Sequence, residues 1–220
     1  MWGGRRAENL QLSMSKSNQI RVVLMRTGET EWCRLGRIAG STDVPLSDAG
    51  REEVRDTILG LGPISLSTVL CAADEASVET ARALAKASGA KVKVVEELGE
   101  IRLGLWEGLL RSELAEKCPT CVRQWKEDPA SVQAPEGEGV EEASDRILEA
   151  LGRQLAKVKS DSGAVGVVLR PIAHGLVGCD WSGMPIRSLW SMMETGPTTQ
   201  WRTLQRDALQ VGRERARAGT

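Results

Sequence analysis

The sequence contains no phenylalanine and no tyrosine, so its large rigid core groups must come from its seven tryptophans. It has a single histidine, His174. No stretch approaches the ~18 apolar residues that a membrane-spanning helix needs, which argues against a segment that crosses a bilayer. The formal net charge of -1 supplies no overall attraction to nucleic acid or to a membrane surface, so neither is predicted as a partner.

Both ends of the chain differ in composition from its centre. Residues 1–18 are polar and lack the apolar segment of a signal peptide, so we expect a disordered leader and a cytoplasmic protein. Residues 206–220 carry several arginines and are predicted to form a basic tail. Residues 19–205 are predicted to be a single domain, since domains of this length are common. The five cysteines, an odd number, are expected to be reduced thiols.

Short apolar runs rich in β-branched residues alternate with segments of helical periodicity. The runs predict strands at 20–25, 67–72, 90–98 and 164–169. Helices are predicted over 45–61 with Ser47 as N-cap, over 76–88 ending at Gly89, near 109–117, after residue 139, and from the last strand to Gly183. This alternation predicts an α/β fold, a three-layer α/β/α sandwich with a mostly parallel central sheet.

In such a sheet, ligands bind at the carboxyl ends of the strands. Arg26 and Thr27 end the first predicted strand, and Arg170 follows the last one. The two arginines are therefore candidates for one anion site.

Several motifs carry a family resemblance. They are the runs RTGETEWC (26–33), GRIAG (36–40), DVPL (43–46), LGEIRLGLWEG (98–108) and QWKEDPASVQAPEGEG (124–139). Their spacing resembles that of the histidine phosphatase superfamily, in its phosphoglycerate mutase-like branch, from about residue 20 to 200. The resemblance implies a phosphoryl-transfer pocket in which one histidine becomes a phosphohistidine. Two arginines and a second histidine would hold the phosphoryl oxygens, and a glutamate would move the leaving-group proton.

Two of these family positions hold the expected residue and three do not. Arg26 stands at the first arginine position and Glu100 at the glutamate position. Thr27 stands where the family has its nucleophilic histidine, Ala76 at the second arginine position, and Arg170 at the second histidine position. No catalytic set is therefore intact, and a threonine hydroxyl without a neighbouring base is a poor substitute for the histidine.

We therefore interpret the chain as a catalytically inactive homologue, a pseudoenzyme that acts by binding a ligand or a protein. One alternative is an active phosphatase or phosphoglycerate mutase-type enzyme with a rearranged pocket. Another is a structural or oligomerisation partner without a ligand. The candidate ligand-binding residues are Arg26, Thr27, Cys33, Arg37, Glu100 and Arg170.

The sequence allows two arrangements of the charged side chains in this pocket. Arg26, Arg170 and the Thr27 hydroxyl could hold a small anion or a phosphorylated ligand. Alternatively, Glu100 pairs with these arginines and closes the cluster. A protein partner or a second copy of the chain are further candidate partners, and neither a cofactor nor a metal is predicted.

Three cysteines and the single histidine also have possible functional roles. Cys118 and Cys121 supply two thiols where a structural zinc site needs four ligands, so a metal or redox role is not the favoured interpretation. Cys33 takes the place of a pocket asparagine, as a plain thiol or as a thiolate near Arg26. His174, one helical turn past the strand end, is predicted to have a structural or surface role.

Overall fold

The computed structural model describes residues 18–159 and 163–205. The strands are β1 (Gln19–Arg26), β2 (Leu66–Cys71), β3 (Lys91–Val94), β4 (Ala164–Leu169) and β5 (Thr199–Gln205). The helices are α1 (Glu31–Arg34), α2 (Asp48–Gly60), α3 (Glu75–Ser88), α4 (Arg111–Lys117), α5 (Pro119–Glu127), α6 (Val140–Leu155), α7 (Pro171–Ser182) and α8 (Leu189–Thr195). The predicted leader, apart from Asn18, and the predicted basic tail lie outside the described residues.

The strands form one sheet in the order β3-β2-β4-β1-β5. All pairs are parallel except β1 with β5, which is antiparallel. β4 is buried along its whole length, as its uninterrupted apolar sequence AVGVVL requires of a central strand. The predicted α/β fold with a mostly parallel central sheet is confirmed.

Apolar side chains pack on both faces of the sheet. Along β1, Val22 and Leu24 belong to one apolar cluster and Val23 and Met25 to the other, because successive side chains of a strand point to opposite faces. The first cluster includes residues of α6 and α7, and the second includes residues of α2 and α3. Helices therefore cover both sides of the strands that carry the candidate site.

Most predicted element ends are close to the observed ones. The Ser47 hydroxyl accepts a hydrogen bond from the Gly50 nitrogen at 3.0 Å and caps α2 as predicted. Gly89 and Gly183 end α3 and α7 in left-handed conformations with φ of 71° and 66°. The strand predicted over 90–98 is wrong in length, because β3 covers four residues and a 3₁₀ turn occupies Glu96–Leu98.

The expectation of reduced thiols is wrong for two of the five cysteines. The structure joins Cys118 and Cys121 in a disulfide, with their Cα atoms 5.3 Å apart. Cys118 lies between α4 and α5, and Cys121 lies in the first turn of α5, so the chain brings the two sulfurs together. Cys33, Cys71 and Cys179 are free thiols.

Within the described residues, every helix is too short or too polar to cross a bilayer.

Candidate functional site

The candidate site lies at the carboxyl ends of β1 and β4. These strands pair in parallel with Arg26 opposite Leu169, and the Thr27 nitrogen donates a hydrogen bond to the Leu169 carbonyl oxygen at 2.9 Å. Thr27 and Arg170 therefore follow two neighbouring strands at one edge of the sheet, as predicted. This edge is where parallel α/β sheets bind ligands.

The turn after Thr27 packs directly against α2. A Cβ atom added to Gly28 would lie 2.2 Å from the Gly50 carbonyl oxygen, and one added to Gly50 would lie 2.1 Å from the Glu29 carbonyl oxygen. The Ser47 hydroxyl also donates to the Glu29 carboxylate at 2.8 Å. Glycine is therefore required at both positions for steric reasons, and these contacts fix the backbone that carries Thr27.

Thr27 has the position of a nucleophile but lacks an activating partner. Its side chain is 4% exposed and its Oγ1 atom is buried without a hydrogen-bond partner. A hydroxyl needs a base within hydrogen-bond distance to become a nucleophile near neutral pH. The described residues place no such base at Thr27.

Glu100 is buried and its carboxylate is bound by backbone amides. Oε1 accepts hydrogen bonds from the nitrogens of Ile101 at 3.0 Å and Ala173 at 2.8 Å, and Oε2 accepts one from Ile172 at 2.8 Å. Two of these donors belong to the first turn of α7, so Glu100 caps that helix. Burial raises the pKa of Glu100 above its ordinary value, although Arg170 and the amides act in the opposite direction.

Arg146 of α6 forms hydrogen bonds to the backbone of the segment that precedes Glu100. Its Nη1 atom donates to the carbonyl oxygens of Glu97 at 2.8 Å and Gly99 at 3.0 Å. Its Nε atom donates to the buried carboxylate of Glu138 at 3.2 Å. Three carbonyl and carboxylate groups therefore orient one guanidinium, which positions the chain just before Glu100.

Arg170 is 2% exposed, and only some of its guanidinium donors have hydrogen-bond partners. Its Nη1 atom donates to the Thr42 carbonyl oxygen at 2.9 Å and lies 3.9 Å from an Asp74 carboxylate oxygen. Its Nε atom is buried without a hydrogen-bond partner. Within the described residues, the carboxylate closest to this guanidinium is that of Asp74 and not that of Glu100, which forms no ion pair below 4 Å. The closed Glu100–arginine cluster therefore does not form as a direct ion pair.

The other predicted site residues divide between the pocket and its surroundings. Cys33 lines the same cavity as Glu100 and Arg170. Arg26 donates to the Met193 carbonyl oxygen at 3.4 Å, and Arg37 donates to the Gly108 carbonyl oxygen at 2.6 Å. Neither arginine lines the two cavities described below, and neither does Thr27. Ala76, fully buried, belongs to the apolar cluster on the α2 and α3 side of the sheet.

His174 lies in α7, one turn after Arg170, and is 5% exposed. Burial, helped by the charge of Arg26, lowers its pKa to about 4. The imidazole is therefore neutral near pH 7. It lines neither cavity, and its burial excludes the surface role that was the other half of the prediction.

Two cavities meet at Glu100 and Arg170. The larger, with a volume of about 820 Å³, is lined by both residues, by Cys33 and by Trp106, Trp125 and Trp190. We call it the tryptophan cavity. The smaller, of about 380 Å³, lies towards Asp74, Arg102 and Arg146. Glu100 and Arg170 thus face both spaces.

The tryptophan cavity was not predicted from the sequence. Trp106 and Trp125 meet edge to face with ring centroids 5.8 Å apart, and Trp125 and Trp190 meet with centroids 5.5 Å apart. The Trp190 Nε1 atom donates to the Trp125 carbonyl oxygen at 2.6 Å. The absence of phenylalanine and tyrosine indicated that tryptophans would supply the large groups, but it could not indicate that three of them share one cavity.

Comparison with known proteins decides the family. The sequence model of the histidine phosphatase superfamily (branch 1) matches residues 22–211. The chain belongs to this superfamily. The resemblance inferred from the motifs is therefore confirmed at the level of the family.

Relatives support the assignment at moderate identity. The chain is 32% identical over 160 residues to glucosyl-3-phosphoglycerate phosphatase of Mycolicibacterium vanbaalenii, a match that covers 70% of this chain and 69% of the relative. It is 26% identical over 172 residues to phosphoserine phosphatase 1 of Hydrogenobacter thermophilus, over 78% of this chain and 81% of the relative. The fold has its own counterpart among solved structures: YhfR of Bacillus stearothermophilus aligns with a TM-score of 0.72 and 24% identity over 78% of this chain and 84% of that chain.

These relatives bear on the functions predicted from the sequence. Their names describe phosphatases, which favours the alternative prediction of an active phosphoryl-transfer enzyme over the leading prediction of a pseudoenzyme. The loss of catalysis is inferred from Thr27, Ala76 and Arg170 alone and stays a prediction.

Proposed function

We propose that this superfamily member binds a small organic anion at the carboxyl edge of its sheet and does not hydrolyse phosphate esters through a phosphohistidine. The observation that carries the proposal is Thr27 at the end of β1, with a buried hydroxyl and no base in hydrogen-bond contact. The single histidine of the sequence, His174, lies one turn into α7 and lines neither cavity. A phosphohistidine mechanism therefore has no histidine in the pocket to act as its nucleophile.

The binding half of the proposal depends on Arg170. Its guanidinium is buried, permanently charged, and carries one Nε–H without a partner. A buried donor of this kind costs free energy that a bound acceptor would recover. The Glu100 carboxylate accepts hydrogen bonds from three backbone amides and none from that Nε–H.

A second candidate function is phosphomonoester hydrolysis with a rearranged pocket, which the names of the relatives favour. Glu100 fits a general acid in this case, because burial raises its pKa and its side chain faces both cavities. The attacking group would be a water molecule or the Thr27 hydroxyl.

A third candidate, a structural partner without a ligand, has no specific contact in its favour.

Assays with p-nitrophenyl phosphate and with 3-phosphoglycerate separate the first two candidates. We expect no turnover by the wild-type protein. Turnover that disappears in both Thr27→Ala and Glu100→Gln would establish the hydrolase instead. Turnover that persists unchanged in both variants and survives further purification would mean hydrolysis by other groups and would also overturn the proposal. Glu52→Gln, an exposed residue of α2, is the control and should equal the wild type. Each variant needs a melting curve to show that it is folded.

Anion binding is tested separately by melting temperature. A ligand that binds only the folded protein raises its stability. We expect small carboxylates, phosphate or sulfate to raise the melting temperature of the wild type and not that of Arg170→Gln. The absence of any shift with every anion at millimolar concentration would favour the structural partner.

Restoring the family residues tests the pocket itself. The triple variant Thr27→His, Ala76→Arg, Arg170→His should gain hydrolysis and a phosphohistidine detectable by mass spectrometry. Because Ala76 is fully buried in an apolar cluster, the double variant without Ala76→Arg serves as the better-folded comparison. A folded double variant that gains neither hydrolysis nor a phosphohistidine would mean that the pocket has lost more than its histidines.

A further inference from the structure

The tryptophan cavity combines an apolar wall with a charged buried end. Its volume of about 820 Å³ is within the range of small-molecule sites, which runs from roughly 300 to 1,000 Å³. Trp106, Trp125 and Trp190 line it together with aliphatic side chains of the loop around Ile38 and of α4 and α5. A cavity of this size and lining accommodates a ligand body the size of one or two aromatic rings.

The tryptophan rings pack against one another. Each neighbouring pair is in an edge-to-face arrangement, and the Trp190 Nε1–H is already bonded to the Trp125 carbonyl oxygen. The rings therefore offer apolar and π surface and not a free indole donor on Trp190. Rigid aromatic groups bind a ring-shaped ligand at a low cost in side-chain entropy.

The charges along the cavity are unequal at its two ends. Arg170 lies at the buried end with Glu100, whereas Arg111, Lys126 and Glu194 are exposed and mark the open end. The cavity lining carries three cations and two carboxylates, and the Asp74 carboxylate lies 3.9 Å from Arg170 just outside that lining. A ligand with a single negative charge therefore matches the charges here better than a dianion does.

The hydrogen-bond donors at the buried end belong to one guanidinium. The Nη1 atom of Arg170 donates to the Thr42 carbonyl oxygen and lies 3.9 Å from Asp74, and its Nε–H is buried without a partner. A dianionic phosphate needs several donors and would lie close to the carboxylates of Asp74 and Glu100, which repel it. A carboxylate needs fewer donors and carries half the charge.

We propose that the tryptophan cavity binds an aromatic monocarboxylate, with its carboxylate on Arg170 and its rings against Trp106, Trp125 and Trp190. This proposal rests on the anion-binding function proposed above and names its ligand class. The ligand enters from the end marked by Arg111 and Lys126. The aromatic part supplies the apolar contact area, and the carboxylate selects the orientation.

Isothermal titration calorimetry with 2-naphthoate tests this proposal on the full chain. Its uncharged counterpart 2-naphthamide has the same rings, and acetate and inorganic phosphate carry the charge without the rings. We expect 2-naphthoate to bind, and 2-naphthamide, acetate and phosphate each to bind at least about tenfold more weakly than 2-naphthoate.

Variants assign the binding to this cavity. Arg170→Gln should weaken 2-naphthoate binding by about tenfold or more and leave 2-naphthamide binding nearly unchanged. Trp190→Leu should weaken both ligands. The matched controls are Arg55→Gln, an exposed arginine of α2, and Trp201→Leu, an exposed tryptophan of β5, and both should bind as the wild type does.

Three results would overturn the proposal. The first is the absence of 2-naphthoate binding to the wild type, a measurement that requires no variant to fold. The second is equal binding of 2-naphthoate and 2-naphthamide, and the third is stronger binding of phosphate than of 2-naphthoate. Hydrolysis of p-nitrophenyl phosphate would refute the non-catalytic function and leave the naphthoate result to be judged by itself, so the two failures are distinguishable.

Discussion

The Oε1 atom of Glu100 lies 2.8 Å from the backbone nitrogen of Ala173, 73 residues later in the chain. Arg170, the residue at the N-cap position of α7, makes no side-chain capping bond. The buried carboxylate of Glu100 therefore caps α7 from a distant segment, whereas a serine, threonine or aspartate at the N-cap position itself usually does so. The candidate site and the stability of α7 thus depend on the same side chain.

We expect Glu100→Ala to lower the free energy of unfolding by about 3 kcal/mol, because two buried amide donors and one partly buried one lose a charged acceptor. Urea unfolding followed by tryptophan fluorescence measures the change. Glu97→Ala is the control, since Glu97 pairs with Arg153 at the surface and its loss should cost at most about 1 kcal/mol. Equal losses in the two variants would contradict the capping role.

Gly28→Ala should destabilise the protein by about 2 kcal/mol or more, because the new methyl group would overlap the Gly50 carbonyl oxygen, 2.2 Å away. Gly152→Ala is the matched control: no atom lies within 4 Å of its added Cβ, and it is inside α6. That control should gain about 0.5 to 1 kcal/mol, as alanine does over glycine in a helix. A neutral Gly28→Ala would mean that the turn after β1 can shift away from α2.

The parts of the fold predicted from the sequence depend on local signals. The apolar run AVGVVL defines β4, and Ser47 and Gly89 mark helix ends, because each acts on its own neighbouring backbone. The antiparallel strand β5 was not predicted. Its sequence TQWRTLQ is mostly polar, since it lies at the sheet edge and pairs on one side with β1.

The candidate site shows the same division. Thr27 and Arg170 could be placed together from the sequence, because the ends of parallel strands share one edge of the sheet. The cap that Glu100 provides for α7 and the meeting of Trp106 with Trp125 depend on contacts between distant segments. No local pattern encodes such contacts, so a single sequence could not predict them.

The buried His174 should make stability depend on pH. Its pKa is lowered to about 4, so between pH 4 and its ordinary value of 6.5 the unfolded chain binds more protons than the folded one. The contribution of the neutral His174 to the free energy of unfolding is fully present above pH 6.5 and is lost as the pH falls towards 4. The slope should approach about 1.4 kcal/mol per pH unit, measured by urea unfolding at several pH values.

His174→Gln isolates this effect. The raised pKa of Glu100 acts in the opposite direction, since a carboxyl with a raised pKa contributes stability that is lost as the pH rises. Both proteins contain Glu100, so the difference between their pH profiles reports on the histidine. We expect the variant profile to be flatter below pH 6.5, whatever its stability at pH 7. Parallel profiles would mean that His174 titrates normally in the folded protein.

Thiol titration should distinguish the cysteines of the air-exposed, unreduced protein. After denaturation we expect three reactive thiols, because Cys118 and Cys121 are joined and Cys33, Cys71 and Cys179 are free. In the native protein Cys33 should react first, since it is half-buried, whereas burial raises the pKa of Cys71 to about 11 and also raises that of Cys179. Cys33→Ser should remove the fast phase and leave the slow ones. Five thiols in the denatured protein would instead support the reduced state that the odd number of cysteines predicts.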